Sequence, residues 1–168
     1  MGLPLLLLLL LVAAGCSGKS NIEPDNILAL YWPENVCQVK GWDGPGCTYK
    51  YWTIHGWWPP KGSNSNNGAY DFNQIKDLED LKEFWPNLRN ARSFWSHEWD
   101  EHGKPAADQL TVRDYFQKGL NYYRIVQKCT TKTTSAAAKK CFEGLDAVKR
   151  CLFIYVKKVI TQAHLYLK

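Results

Sequence analysis

Phe94-Trp95-Ser96-His97-Glu98-Trp99-Asp100-Glu101-His102-Gly103 is the densest run of ionisable chemistry in the chain. Two histidines and three carboxylates fall between His97 and His102, framed by large aromatics. A third histidine, His55, sits in a second aromatic frame, Trp52-Thr53-Ile54-His55-Gly56-Trp57-Trp58-Pro59-Pro60. The spacing excludes a zinc helix. In His-Glu-x-x-His the two histidines stack one turn apart, whereas His97 and His102 project about 140° from each other on an α-helix. Helical neighbours at four residues place Glu98 beside His102 and Glu101 beside His97. A carboxylate beside an imidazole raises its pKa, and a second histidine from elsewhere completes an acid and base pair. The two segments are expected to face each other across one site.

Two such histidines suit attack of a ribose 2′-hydroxyl on its own phosphodiester. One imidazole removes the proton from the 2′-oxygen, and the other protonates the departing 5′-oxygen. The nucleophile is part of the substrate, so neither a metal nor another cofactor is expected. Cationic groups would stabilise the charge that builds on the phosphoryl oxygens. The tryptophans beside His55 offer faces on which bases can stack.

The rest of the chain sets the context. Leu5 to Val12 is an unbroken apolar run, followed by the small residues Ala13, Ala14, Gly15, Cys16, Ser17 and Gly18. This reads as a secretory signal peptide over residues 1–18, shorter than the roughly 20 apolar residues needed to span a bilayer. The remainder, 19–168, is expected to be a single domain, secreted or in the endolysosomal lumen, monomeric and free of the membrane. A net charge of +5 suits a polyanionic partner without demanding one. Six cysteines in a secreted chain point to disulfides. Cys37 and Cys47 flank a Gly/Pro-rich turn and are expected to pair; two of Cys129, Cys141 and Cys151 would pair, leaving one free.

Alternation in Asn26–Trp32 predicts a strand, stopped by Pro33. Gly41–Gly46 is turn chemistry, and Tyr49–Ile54 predicts a second strand with His55 at its end. Pro59 to Gly68 reads as a flexible surface loop. Ile75, Leu78, Leu81, Phe84 and Trp85 recur at helical steps, predicting a helix that ends at Pro86. Ala91–His102 is a second helix candidate. Thr111 with Asp114 predicts the N-cap of a third, with Tyr115, Phe116, Leu120, Tyr123 and Val126 inward. Thr130–Lys140 reads as a loop or frayed helix end, and Val148–Val156 and Val159–Leu167 as β segments. Strands, then helices, then strands predict an α+β domain around a central antiparallel sheet.

The two histidine segments resemble those of the ribonuclease T2 family. Trp52 to Pro59 is similar to its Trp-Thr-Ile-His-Gly-Leu-Trp-Pro motif, and Phe94-Trp95-x-His97-Glu98-Trp99-x-x-His102-Gly103 to its second. Trp32-Pro33 followed by Cys37 is similar to the family's opening. The resemblance implies a secreted endoribonuclease cutting single-stranded RNA through 2′,3′-cyclic phosphates. By position it implies His102 as general base, His55 as general acid and His97 as phosphate holder. Glu98 would help stabilise the transition state, and Trp58 would lie under a base.

The chain departs from that pattern at named positions. Glu101 stands where the family usually has Lys, and a carboxylate there repels a dianionic transition state. Lys104 is the candidate to compensate. Pro60 replaces an Asp that contacts the base in many members. Gly103-Lys104-Pro105 replaces Gly-Thr-Cys, and the loop after Pro60 lacks the partner cysteine, so one whole bridge is missing. The C-terminal third is shorter than usual, although Leu145–Phe153 resembles a family strand. These departures motivate a second expectation: an impaired enzyme serving as an RNA-binding or effector protein on a ribonuclease scaffold.

Overall fold

Leu28 and Leu30 alternate toward one side of the first strand, and their burial makes it the centre of a sheet. In a computed structural model, residues 25–63, 66–90 and 93–168 are described. The expected signal peptide over 1–18, with Cys16, lies outside the described residues, as do Asn64, Ser65, Ala91 and Arg92. Four strands, β1 (Ile27–Tyr31), β2 (Thr53–Trp58), β3 (Val148–Val156) and β4 (Val159–Leu167), form an antiparallel sheet in the order β2-β1-β4-β3. Five α-helices accompany them: α1 (Pro33–Lys40), α2 (Leu81–Phe84), α3 (Phe94–Glu98), α4 (Val112–Val126) and α5 (Ser135–Glu143). The expected α+β class and antiparallel sheet are as found.

Helix α4 carries the core. Thr111 and Asp114 form the expected capping box, and all five expected inward residues are buried. Two of its tyrosines also reach the sheet: Tyr115 Oη donates to Trp57 O at 2.7 Å, and Tyr123 Oη donates to Trp52 O at 2.6 Å. Both bonds are buried, so they hold β2 near its end and at the residue just before its start. Each net hydrogen bond contributes about 1 kcal/mol, and leaving its partner unsatisfied would cost more.

Local expectations differ from the fold in four places. Pro33 stops β1 but also opens α1, where a proline without an N–H is tolerated in the first turn. The second strand starts later than expected, at Thr53, so His55 lies inside it rather than at its end. The apolar series Ile75–Trp85 is buried without forming one helix. Asp80 takes a left-handed backbone (φ 67°) and leaves only the short α2. Thr130–Lys140 is not simply a loop: Thr134 caps α5 by accepting from Ala137 N. Among the described residues two disulfides are present, Cys37–Cys47 as expected and Cys129–Cys141 from the undecided set, and Cys151 is free and buried.

Candidate active site

The site begins with a fault in the β1–β2 ladder. Ala29 pairs with Gly56 and Leu30 with Ile54, so His55 is the extra residue of a bulge. Bulges re-aim side chains next to functional sites. Here the imidazole is turned flat against Tyr31, with ring centroids 4.0 Å apart and planes at 19°. Trp85 Nε1 fixes the bulge from behind by donating to His55 O at 2.8 Å.

The second segment winds in two ways. Helix α3 ends at Glu98, and Trp99–Gly103 continues as a π turn, with Lys104 N donating to Trp99 O at 2.7 Å. Such i to i+5 turns are rare and concentrate at functional sites. Gly103 permits the turn. A Cβ there would sit 2.3 Å from the Trp99 ring and 2.9 Å from Tyr115. The wider winding also changes the neighbours expected from α-helical spacing. The Glu98 carboxylate meets His55 rather than His102, with Oε1 3.6 Å from Nε2. His97, which an α-helix would send to the far side, lies close enough for its charge to lower the pKa of both His55 and His102.

Trp58 stands at the centre. It stacks on His102 (5.1 Å, 25°) and meets His55 edge-on at 5.5 Å. It also meets His164 edge-on at 4.8 Å. Across Gly56, Trp58 Nε1 and Glu98 Oε2 approach the same space. A Cβ on Gly56 would lie 2.5 Å from the first and 2.3 Å from the second. Neither atom completes a hydrogen bond, yet the indole N–H still draws the Glu98 pKa down against the larger effect of burial.

Burial sets the protonation states. It pushes Glu98, 2% exposed, up to about 8, and the charge of Glu101 adds to the rise. It pushes His55 down to about 3, against a hydrogen-bonding contribution from Gln162. A charged pair would shift both groups the other way, so desolvation outweighs their attraction and the neutral pair prevails. The His55 ring keeps 20% of its surface in contact with solvent, which leaves it open to an incoming phosphate. Burial likewise pushes His102 down to about 4, with further lowering by Lys61 and then His97.

All the expected site residues fall in this region, in unequal roles. His55, Glu98, His102 and Trp58 converge; His97 and Glu101 are exposed at its rim. Lys104 is half-buried and its carbonyl accepts from Asn67 N at 3.0 Å. The cation whose charge is felt at His102 is Lys61, brought there by the Lys61–Ala106 bridge. Four contributors escaped the motif reading. Tyr31 floors His55, and Gln162 and His164 arrive on β4. Asn67, in the loop expected to be flexible, is buried: it donates to Gly103 O (3.1 Å) and Asp108 O (2.8 Å), and accepts from Leu110 N (3.1 Å). Only the alternation of β4 hinted at Gln162 and His164, by placing them on one face. Among the described residues no cluster of three or more His, Cys, Asp or Glu has metal-holding geometry.

Comparison with known proteins places the chain among relatives of one family. The family model described as the ribonuclease T2 family matches residues 26–140. Human ribonuclease T2 is 38% identical over 110 residues, covering 58% of this chain and 41% of that protein. The chain thus spans about two fifths of its human relative's length. Ribonuclease Oy of Magallana gigas is 36% identical over 156 residues, covering 74% of this chain and 72% of that protein. Ribonuclease MC1 from bitter gourd seeds has a similar fold, with a TM-score of 0.60 at 22% identity over 86% of this chain and 89% of that one.

Proposed function

The chain belongs to the ribonuclease T2 family, and from that premise we propose that it is an endoribonuclease cutting single-stranded RNA without a metal. The observation that carries this reading is the convergence of His55, Glu98 and His102 around Trp58. In the reaction, His102 takes the proton of the ribose 2′-hydroxyl. The 2′-oxygen bonds to phosphorus, the bond from phosphorus to the 5′-oxygen breaks, and His55 protonates that oxygen. The product is a 2′,3′-cyclic phosphate.

His102 suits the base role because its lowered pKa keeps it neutral above about pH 4. His55 alone would be a poor proton carrier, but Glu98 keeps a proton up to about pH 8 at 3.6 Å from its ring. A bound phosphate anion favours the imidazolium, so the proton passes from Glu98 to His55 as substrate seats. His97 at the rim holds the phosphate, and Lys61 supplies the cation that Glu101 does not. Trp58 carries the base on its open surface. Two disulfides, the apolar run Leu5–Val12 and a relative named extracellular ribonuclease LE support a secreted location. No helix among the described residues is long and apolar enough to cross a membrane.

Incubation with polyuridylate in EDTA should release cyclic phosphates, and His55→Ala or His102→Ala should lower the rate by about 10²–10⁴. Equal release by wild type and the double mutant would remove catalysis from the reading. Glu101 favours a second reading, an impaired RNA-binding protein; it predicts RNA binding with no cleavage even after Glu101→Lys.

A further inference from the structure

The last strand reaches the site from outside both histidine motifs. On β4, Gln162, His164 and Tyr166 are half-buried, whereas Thr161, Ala163, Leu165 and Leu167 are buried. The register carries this alternation across the sheet. His164 lies beside Ala29 and, beyond it, Gly56; Tyr166 lies beside Ile27 and, beyond it, Trp58. On the other side, Leu152 pairs with His164 and Arg150 with Tyr166. Directly paired residues project from the same face. Trp58, His164, Tyr166, Leu152 and Arg150 therefore share the face that carries the site, while Leu28, Leu30, Ala163 and Leu165 fill the core behind it.

Two contacts give this face its chemistry. His164 stands edge-on to Trp58 at 4.8 Å, held by a 3.2 Å hydrogen bond between its Nε2 and Gln162 Oε1. The Arg150 guanidinium lies 3.7 Å over the Tyr166 ring. Arg150 is exposed, and unlike Arg113 and Arg124 it has no carboxylate partner among the described residues. A guanidinium held flat on an aromatic ring keeps its N–H edges for a phosphate and its free plane for a base. Leu152, 46% exposed, pairs with His164 two residues along β3 from Arg150 and adds an apolar step.

We propose that this face of β1, β4 and β3 is a track for the RNA strand beyond the scissile phosphodiester, with Trp58, His164 and Tyr166 as stacking surfaces and Arg150 as a phosphate holder at its far end. The proposal rests on the ribonuclease reading for the identity of the strand. Aromatic faces with an interleaved cation, on a sheet continuous with the cleavage site, fit a single-stranded polyanion. Such platforms bind bases with little sequence preference.

The test compares 2′-O-methyl oligouridylates of two and eight nucleotides, which bind without being cut, by fluorescence anisotropy over a range of salt. Wild type should bind the octamer at least about tenfold more tightly than the dimer. Arg150→Glu and Tyr166→Ala should each weaken the octamer by about five- to twentyfold. Both should leave dimer binding and cleavage of the dinucleotide UpU within about twofold. Arg150→Glu should also flatten the salt slope by about one. Arg150→Gln, which keeps the flat stack without the charge, should lose the slope but not the fold, and thermal melts check that fold. Equal losses on dimer and octamer, or no loss on the octamer, would overturn the track. A protein that binds the octamer this way but never cleaves UpU removes the ribonuclease reading and keeps the track. One that cleaves UpU but binds both lengths alike does the reverse.

Discussion

The Glu98 carboxyl and the His55 imidazole meet at 3.6 Å although they come from the two separate histidine segments. Burial raises one pKa and lowers the other until a single proton belongs to the pair. In the proposed reaction that proton would sit on the carboxyl before substrate binds and pass to the imidazole once a phosphate anion arrives, so the carboxylate would act as a local proton store rather than as an ionic clamp.

Replacing Glu98 by Gln removes the store. The kcat/KM profile of the wild type should rise through about pH 4, where His102 becomes neutral, and fall toward about pH 8, where Glu98 ionises. In Glu98→Gln the alkaline limb should move down by more than about one pH unit. An unmoved limb in a pH–rate series would show that the acid draws its proton from elsewhere.

The same shifts set how stability responds to pH. Glu98 is raised in the fold, so the unfolded chain loses its proton first and stability falls as pH rises from about 4.5 to about 8. His55 and His102 are lowered, so the unfolded chain takes up protons first and stability falls as pH drops from about 6.5 toward 4 and 3. The two histidines outweigh Glu98 below about 6.5, and Glu98 acts alone above it. Stability should therefore peak near pH 6.5 and decline above it by about 1.4 kcal/mol per pH unit at most. Urea titrations of Glu98→Gln should lose the alkaline decline and keep the acid one.

Lys61 bears on His102 and Glu101 on Glu98 with opposite charges, so in the proposed reaction they would act on the phosphate with opposite signs. Lys61→Ala should lower kcat by about tenfold and shift the acid limb upward, because its charge helps hold the His102 pKa down. Glu101→Lys should raise kcat by about tenfold or more. The 10²–10³ typical of an enclosed donor is an upper bound, because residue 101 is exposed. Single-turnover rates at saturating RNA separate these effects from binding.

At Gly56 a methyl group would lie 2.3 Å from Glu98 Oε2 and 2.5 Å from Trp58 Nε1. Gly56→Ala should destabilise the fold by about 1–3 kcal/mol and lower kcat more than it raises KM. Thermal melts and steady-state kinetics on one preparation check both.

Asn67→Ala should leave Leu110 N and the Asp108 carbonyl without their partner and remove one of the two hydrogen bonds to the Gly103 carbonyl. A loss of about 2–4 kcal/mol is expected. Activity should fall as well, because Gly103 follows His102 directly in the chain. Hydrogen exchange should show faster opening across residues 103–110 than across α4.

Several features were legible because they depend on local chemistry. Alternation marked β1, β-prone composition marked β3 and β4, and the Thr111–Asp114 box marked the start of α4. The candidate site residues were visible because bulky aromatics frame them. The broken helix at Asp80 was not, since its apolar spacing serves burial equally well in turns. Nor was α5, whose alanine-rich run carries little amphipathic signal until Phe142 and Ala138 pack into the core.

From residue types and motif order alone, His55, His97, His102 and Glu98 could be grouped as one candidate site, with Glu101 as its departure from the family pattern. Only the tertiary structure decided which groups touch. Glu98 faces His55 because packing of Trp99 and Gly103 against Tyr115 favours a π turn over an α-helical one. His164 and Gln162 join the site because the register of β4 on β1 places them there. Both outcomes depend on contacts between residues far apart in the chain, and spacing along a single segment carries no record of them.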